Sequence, residues 1–242
     1  MARKSFNWSL LDRYNLYSML YGLGKDVVGK KIPILDLQKI ISKHIKSKLP
    51  VKVVRRQNDA TQKPGQIYMG GTYYSYNDWT ERRQIEIVLS YHPADTAIKV
   101  TEYRWTRLCS LFADTILHEV IHMRQYRSRE FKDIPGYEST AHYYKQRVDQ
   151  QYFGHKDEMG AFAFNIACDM FDRFGNDKKA VQKYMDSMQA KRHKRTTYRA
   201  YLNAFDWDHK HPIIRQLKKK VIRNLDYAEA GKPFKTSTHL TY

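Results

Sequence analysis

Residues 117–123 read Leu-His-Glu-Val-Ile-His-Met, which places His118, Glu119 and His122 in an H-E-x-x-H pattern. Two histidines four apart on a helix lie one turn above each other on one face, so both imidazoles can reach one ion. Zn²⁺ takes imidazole nitrogen readily and prefers a tetrahedral shell. Glu119 sits between the two ligands in sequence. Beside the open coordination position, its carboxylate could take a proton from a metal-activated water. A structural histidine pair is the alternative. Against it, random placement of 10 His and 8 Glu gives the pattern only about 0.01 times in a chain of this length.

A catalytic zinc site ordinarily has three protein ligands and leaves the fourth position to water. Downstream of His122 the candidates are Glu130, Asp133, Glu138, His142, His155, Asp157 and Glu158. Glu158 is the choice here. It falls in the first turn of a strongly apolar segment, where a carboxylate needs a partner, and Gly160 and Ala161 would let that segment approach the motif closely. His142 is the rival ligand, and a carboxylate favoured by a helix dipole is the plainer reading of Glu158. His155 and Tyr152, just upstream, are candidate donors to an oxyanion.

The motif has to sit on a helix. No Gly or Pro occurs from Ala94 to Ile134, and Trp105, Leu108, Leu111, Phe112, Ile116, Leu117, Val120 and Ile121 run almost all round, as in a buried helix. Thr101 is its expected cap. Upstream, helices are expected over 7–21 and 34–46, the second with Ile34, Leu37, Ile41 and Ile45 at helical spacing. Strands are expected over 51–55, 66–76 and 83–91, the middle one weakened by Gly70-Gly71, forming a small, mostly antiparallel sheet. The strand at Ile85–Tyr91 could be either an edge or a paired inner strand. Downstream, helices are expected over 138–151, from Asp157 to before Gly175, over 177–190, over 197–205 and over 211–230, the last opened by Pro212 and closed by Gly231. The fold class is therefore α+β.

Strands, an H-E-x-x-H helix and then a helix bearing a ligand Glu resemble the gluzincin zinc metallopeptidases. Glu158-Met159-Gly160-Ala161-Phe162-Ala163-Phe164 resembles the E-x-x-A segment of minimal gluzincin domains, such as the ImmA/IrrE group and small metallopeptidase-like proteins of tailed phages. The resemblance implies a zincin-like fold, Zn²⁺ on His118, His122 and Glu158, Glu119 as general base, and a protein or peptide substrate. It covers roughly residues 34–175. This chain has a longer gap before the third ligand than the ImmA/IrrE pattern and no evident helix-turn-helix. The SprT-like group acts on DNA-bound proteins and shares the basic character, but its third ligand is a histidine, a place only His142 could fill.

On this reading residues 1–33 form a basic N-terminal extension, 34–175 the metallopeptidase core, 176–230 a basic helical region and 231–242 a tail. The net charge of +18 is concentrated in two places. Residues 1–56 hold 13 Lys or Arg against 3 Asp, and residues 191–223 hold 11 against 2, while residues 57–190 are near neutral. Such asymmetry suggests nucleic acid as a partner, although a basic surface also serves solubility alone. Candidate contacts are Lys191, Arg192, Lys194, Arg195, Lys218, Lys219 and Lys220. Interleaved Tyr198, Tyr201, Phe205 and Trp207 could stack on bases, but 198, 201 and 205 also have the spacing of a helix core stripe. Mean hydropathy is −0.73 and no apolar run approaches the about 20 residues of a membrane span, so no membrane role is expected. Only two cysteines and no signal-peptide pattern point to the cytoplasm, or to a host cytoplasm or virion if the protein is viral. The alternative to a peptidase is a nucleic-acid-associated or virion structural protein with an idle or structural metal site.

Overall fold

The computed structural model describes residues 7–57, 63–75, 85–191 and 196–232. The chain forms two compact units, Met1–Met123 and Arg124–Tyr242. The architecture is α+β, as expected.

The first unit begins with a 3-10 turn, Trp8–Leu10, and helix α1, Arg13–Tyr21. The expected single helix over 7–21 is split because Asp12 takes an extended conformation and caps α1, its side chain accepting from Asn15 N at 2.8 Å. After the short α2 (Gly24–Val27) and strand β1 (Lys31–Pro33) comes α3, Ile34–Lys46, with the predicted bounds. It buries Ile34, Leu37, Ile41 and Ile45, the face that its spacing marks.

Strands β2 (Val51–Gln57), β3 (Ile67–Tyr73) and β4 (Ile85–Tyr91) form one sheet in the order β2-β4-β3. The short β5 (Ala97–Lys99) pairs antiparallel with β1 in a separate ribbon. Burial explains the strand order. Residues 85–89 of β4 are buried consecutively, as in a strand covered on both faces, whereas β3 alternates along its length. The expectation of a mostly antiparallel sheet is corrected on this point: β4 pairs parallel with β2 and antiparallel with β3. The strand at Ile85–Tyr91 is therefore an inner strand, bonded on both sides, and offers no edge to an added peptide. Val53 and Gly71 both stand opposite Ile87.

Helix α4, Glu102–Ser128, follows. Thr101 caps it, Oγ1 accepting from Arg104 N at 3.3 Å. Trp105, Leu108, Phe112, Ile116 and Val120 are buried, and Trp105 Nε1 donates to Tyr21 O at 3.4 Å. Arg13 closes on Asp114 at 2.8 Å. The all-round apolar pattern of α4 thus corresponds to burial.

The second unit contains the last turn of α4 and helices α5 (Tyr144–Gly154), α6 (Lys156–Phe174), α7 (Lys178–Asp186), α8 (Thr197–Ala204) and α9 (Pro212–Glu229). The helix expected from Glu138 starts six residues later. Ser139 Oγ accepts from Ala141 N at 3.1 Å and donates to Gln150 Oε1 at 2.6 Å, holding a non-helical turn there. α6 packs chiefly on α9. Gly160, Ala161, Ala163 and Ala167 keep α6 slim, while Ile213, Ile214, Leu217, Val221 and Leu225 form the buried stripe of α9. Pro212 opens α9 and Gly231, at φ 63°, ends it.

Candidate metal centre

His118, Glu119 and His122 lie in the most buried part of α4, at 7%, 6% and 9% exposure. The helical register brings His118 Nε2 and His122 Nε2 to 3.0 Å, with the rings edge to face. Two nitrogens on one tetrahedral Zn²⁺, each about 2.0–2.1 Å from it, stand about 3.3–3.4 Å apart. The pair is therefore nearly at ligand spacing. On the sheet side, strand β3 passes directly against the motif. An ideal Cβ built on Gly71 would lie 2.7 Å from Glu119 Oε1, 2.8 Å from Glu119 Cγ and 2.7 Å from Thr115 Cγ2. At neighbouring Gly70 no described residue lies within 4 Å.

Glu158 stands in the first turn of α6, half-buried. That turn is fixed from several directions. His155 is the N-cap; its Nδ1 accepts from Asp157 N at 3.3 Å. Asp157 makes a two-pronged ion pair with Arg129, at 2.8 and 2.7 Å, both side chains nearly buried. Gln125, on the last turn of α4, donates to Asp157 O at 3.0 Å, next to the bare backbone at Gly160. Gln125 in the final turn of α4 and Arg129 just past it therefore hold the first turn of α6 by three side-chain bonds.

His118, His122 and Glu158 form a group that could hold a metal ion: one ligand atom of each lies within 4.8 Å of the others. The donor set, two imidazoles and one carboxylate, fits a divalent metal with one position open. His142 is exposed and outside this group. Cys109 and Cys168 are buried thiols not joined in a disulfide, also outside it, and burial pushes the Cys109 thiol up to about 12.

The remaining candidates are placed unevenly. Tyr152 is 46% exposed and belongs to an aromatic cluster with Phe153, Phe162 and Tyr201. Tyr201 is fully buried, and burial first, with the charge of Glu158 second, holds its hydroxyl well above the ordinary tyrosine range. Tyr198 and Phe205 are buried too, so these three aromatics form a core stripe. Arg192, Lys194 and Arg195 lie outside the described residues, and Lys191 ends a 3-10 turn. Lys218 is tied to Asp186 at 2.6 Å and Lys219 is exposed. Burial first, and then Arg223, lower the pKa of Lys220.

Sequence reasoning missed Gly71 as a neighbour of Glu119, and it missed the pairing of Arg129 with Asp157. Gly70-Gly71 inside a strand pattern was a usable signal, since glycine in a strand marks a close approach. The Arg129–Asp157 pair carried none. No helix among the described residues is long and apolar enough to cross a membrane. No family model matches the chain, and no curated protein or solved structure is significantly similar to it.

Proposed function

We propose that the chain is a zinc-dependent peptidase of the gluzincin type with a zincin-like fold. Zn²⁺ would be held by His118, His122 and Glu158, with Glu119 as general base. The observation that carries this reading is the grouping of two imidazoles and a carboxylate with ligand atoms within 4.8 Å of one another, with a second glutamate in the motif between the histidines. A purely structural site would need no such base.

Bound there, the metal would supply Lewis acidity, lowering the pKa of water to about 7 and polarising a carbonyl. Glu119 accepts the proton of the attacking water as the new C–O bond forms. It then returns that proton to the amine nitrogen as the C–N bond breaks. In neutral His155, Nδ1 is the acceptor for Asp157 N, so Nε2 carries the proton and is the atom able to donate to an oxyanion. Tyr152 offers a phenol for the same role. An extended substrate adds as a strand beside β3, which among the described residues pairs only with β4 and runs against Glu119. The substrates proposed are proteins associated with nucleic acid, brought near by the basic flanks.

The second reading, a nucleic-acid-associated or virion structural protein with an idle site, is favoured by the same charge concentration at 1–56 and 191–223. Hydrolysis of fluorescein-labelled casein by the wild type and by Glu119→Gln separates the two. The peptidase reading expects Glu119→Gln to lower turnover about 10²- to 10⁴-fold with bound metal unchanged. Equal turnover in both proteins, or none in the zinc-loaded wild type, supports the second reading.

A further inference from the structure

The two glycines of β3 meet different surroundings, and the difference falls on Glu119. At Gly70 an added methyl group meets none of the described residues within 4 Å. At Gly71 it would come within 2.7–2.8 Å of Glu119 Oε1, Glu119 Cγ and Thr115 Cγ2, closer than non-bonded carbon normally approaches. Neither glycine has a backbone conformation that requires glycine, so conformational freedom does not explain Gly71. Its register opposite Ile87, at the middle of β3, argues against a turn or a bulge. What remains is the space that the missing side chain leaves.

We propose that Gly71 is the positioning residue for Glu119: its lack of a side chain forms the slot in which the Glu119 carboxylate lies against β3. This rests on the reading of Glu119 as general base. The motif helix carries Glu119 at 6% exposure, and the strand backbone forms one wall around it. A wall at this distance limits the rotamers open to the side chain and holds the base in one orientation before substrate arrives. With any larger residue at 71, either the carboxylate leaves its place or β3 moves away from α4.

The test compares Gly71→Ala with Gly70→Ala, each in the wild-type and Glu119→Ala backgrounds, by urea unfolding. Gly70→Ala carries whatever a methyl group does to strand β3 in general. The expected result is a lower unfolding midpoint for Gly71→Ala than for Gly70→Ala, with the deficit reduced in the Glu119→Ala background. The same deficit in both backgrounds overturns the proposal. The functional arm is casein hydrolysis. Gly71→Ala should fall about tenfold to 100-fold below Gly70→Ala in kcat. KM and zinc per chain should match those of Gly70→Ala, and equal kcat overturns the proposal. Turnover retained in Glu119→Gln would instead reject the peptidase reading, and the unfolding comparison would still decide the contact.

Discussion

At the scale of single residues, the motif depends on burial. Glu119, His118 and His122 occupy one stretch of α4 where almost every neighbour is apolar. Polar groups buried there need good partners, and a shared ion would be a strong one. His118→Ala should therefore lose metal without unfolding the protein, a result that zinc content and far-ultraviolet circular dichroism together would check. Cys109 supplies a pH test. Its thiol ionises near 9.0 when free and at about 12 when buried, so the folded state favours the neutral form. The stability it contributes is complete below pH 9 and is lost as pH rises toward 12. Buried Tyr198 is shifted in the same direction. The urea midpoint should fall progressively across that range, and a midpoint flat from pH 9 to 11 would contradict the assignment. H-E-x-x-H was legible because its spacing encodes one helix face. That Gly71 meets Glu119 was not, because it depends on which residue of another element packs against the strand.

At the scale of elements, the join between α4 and α6 is the informative part. Arg129 and Asp157 are nearly buried, at 12% and 9% side-chain exposure, and they pair through two bonds. Removing one partner strands the other charge. Asp157→Ala should destabilise the protein by about 3–5 kcal/mol in urea unfolding. It should also weaken zinc binding measured by chelator competition, because it loosens the turn that carries Glu158. Unchanged zinc affinity would show that the pair serves the fold alone. α3 and α9 were legible nearly to the residue, since each carries a regular apolar stripe and α9 has Pro and Gly at its ends. The sheet was legible only in part. Alternation marked the strands, but strand order depends on which strand is covered on both faces. The unbroken burial of residues 85–89 is a property of the folded unit. The start of α5 was missed because a side-chain bond from Ser139 competes with the helix over 138–143.

At the scale of the whole molecule, charge is the dominant fact. The excess of +18 lies in the two flanks, and α9 presents Arg215, Lys219 and Arg223 to solvent. Lys218 is occupied by Asp186, so Lys218→Ala should affect stability rather than nucleic-acid binding. Replacing Arg215, Lys219 and Arg223 together with Gln should weaken binding to a fluorescent DNA duplex. The slope of log affinity against log salt should fall by about 3 if each side chain meets a phosphate. An unchanged slope would place the contact elsewhere, or nowhere on α9. The charge partition was visible in the sequence. Which lysines are exposed was not, because ion pairing and burial depend on α7 and α6 packing against α9.

The measurement that bears most directly on the central claim is zinc per chain in the purified protein, beside His118→Ala and Glu158→Gln. The account predicts about one zinc in the wild type, as expected of a single three-ligand site. It predicts loss in His118→Ala and clearly weaker retention against a chelator in Glu158→Gln. A wild-type protein that binds no zinc when supplied with it, or a Glu158→Gln variant that holds zinc as tightly as the wild type, would contradict it.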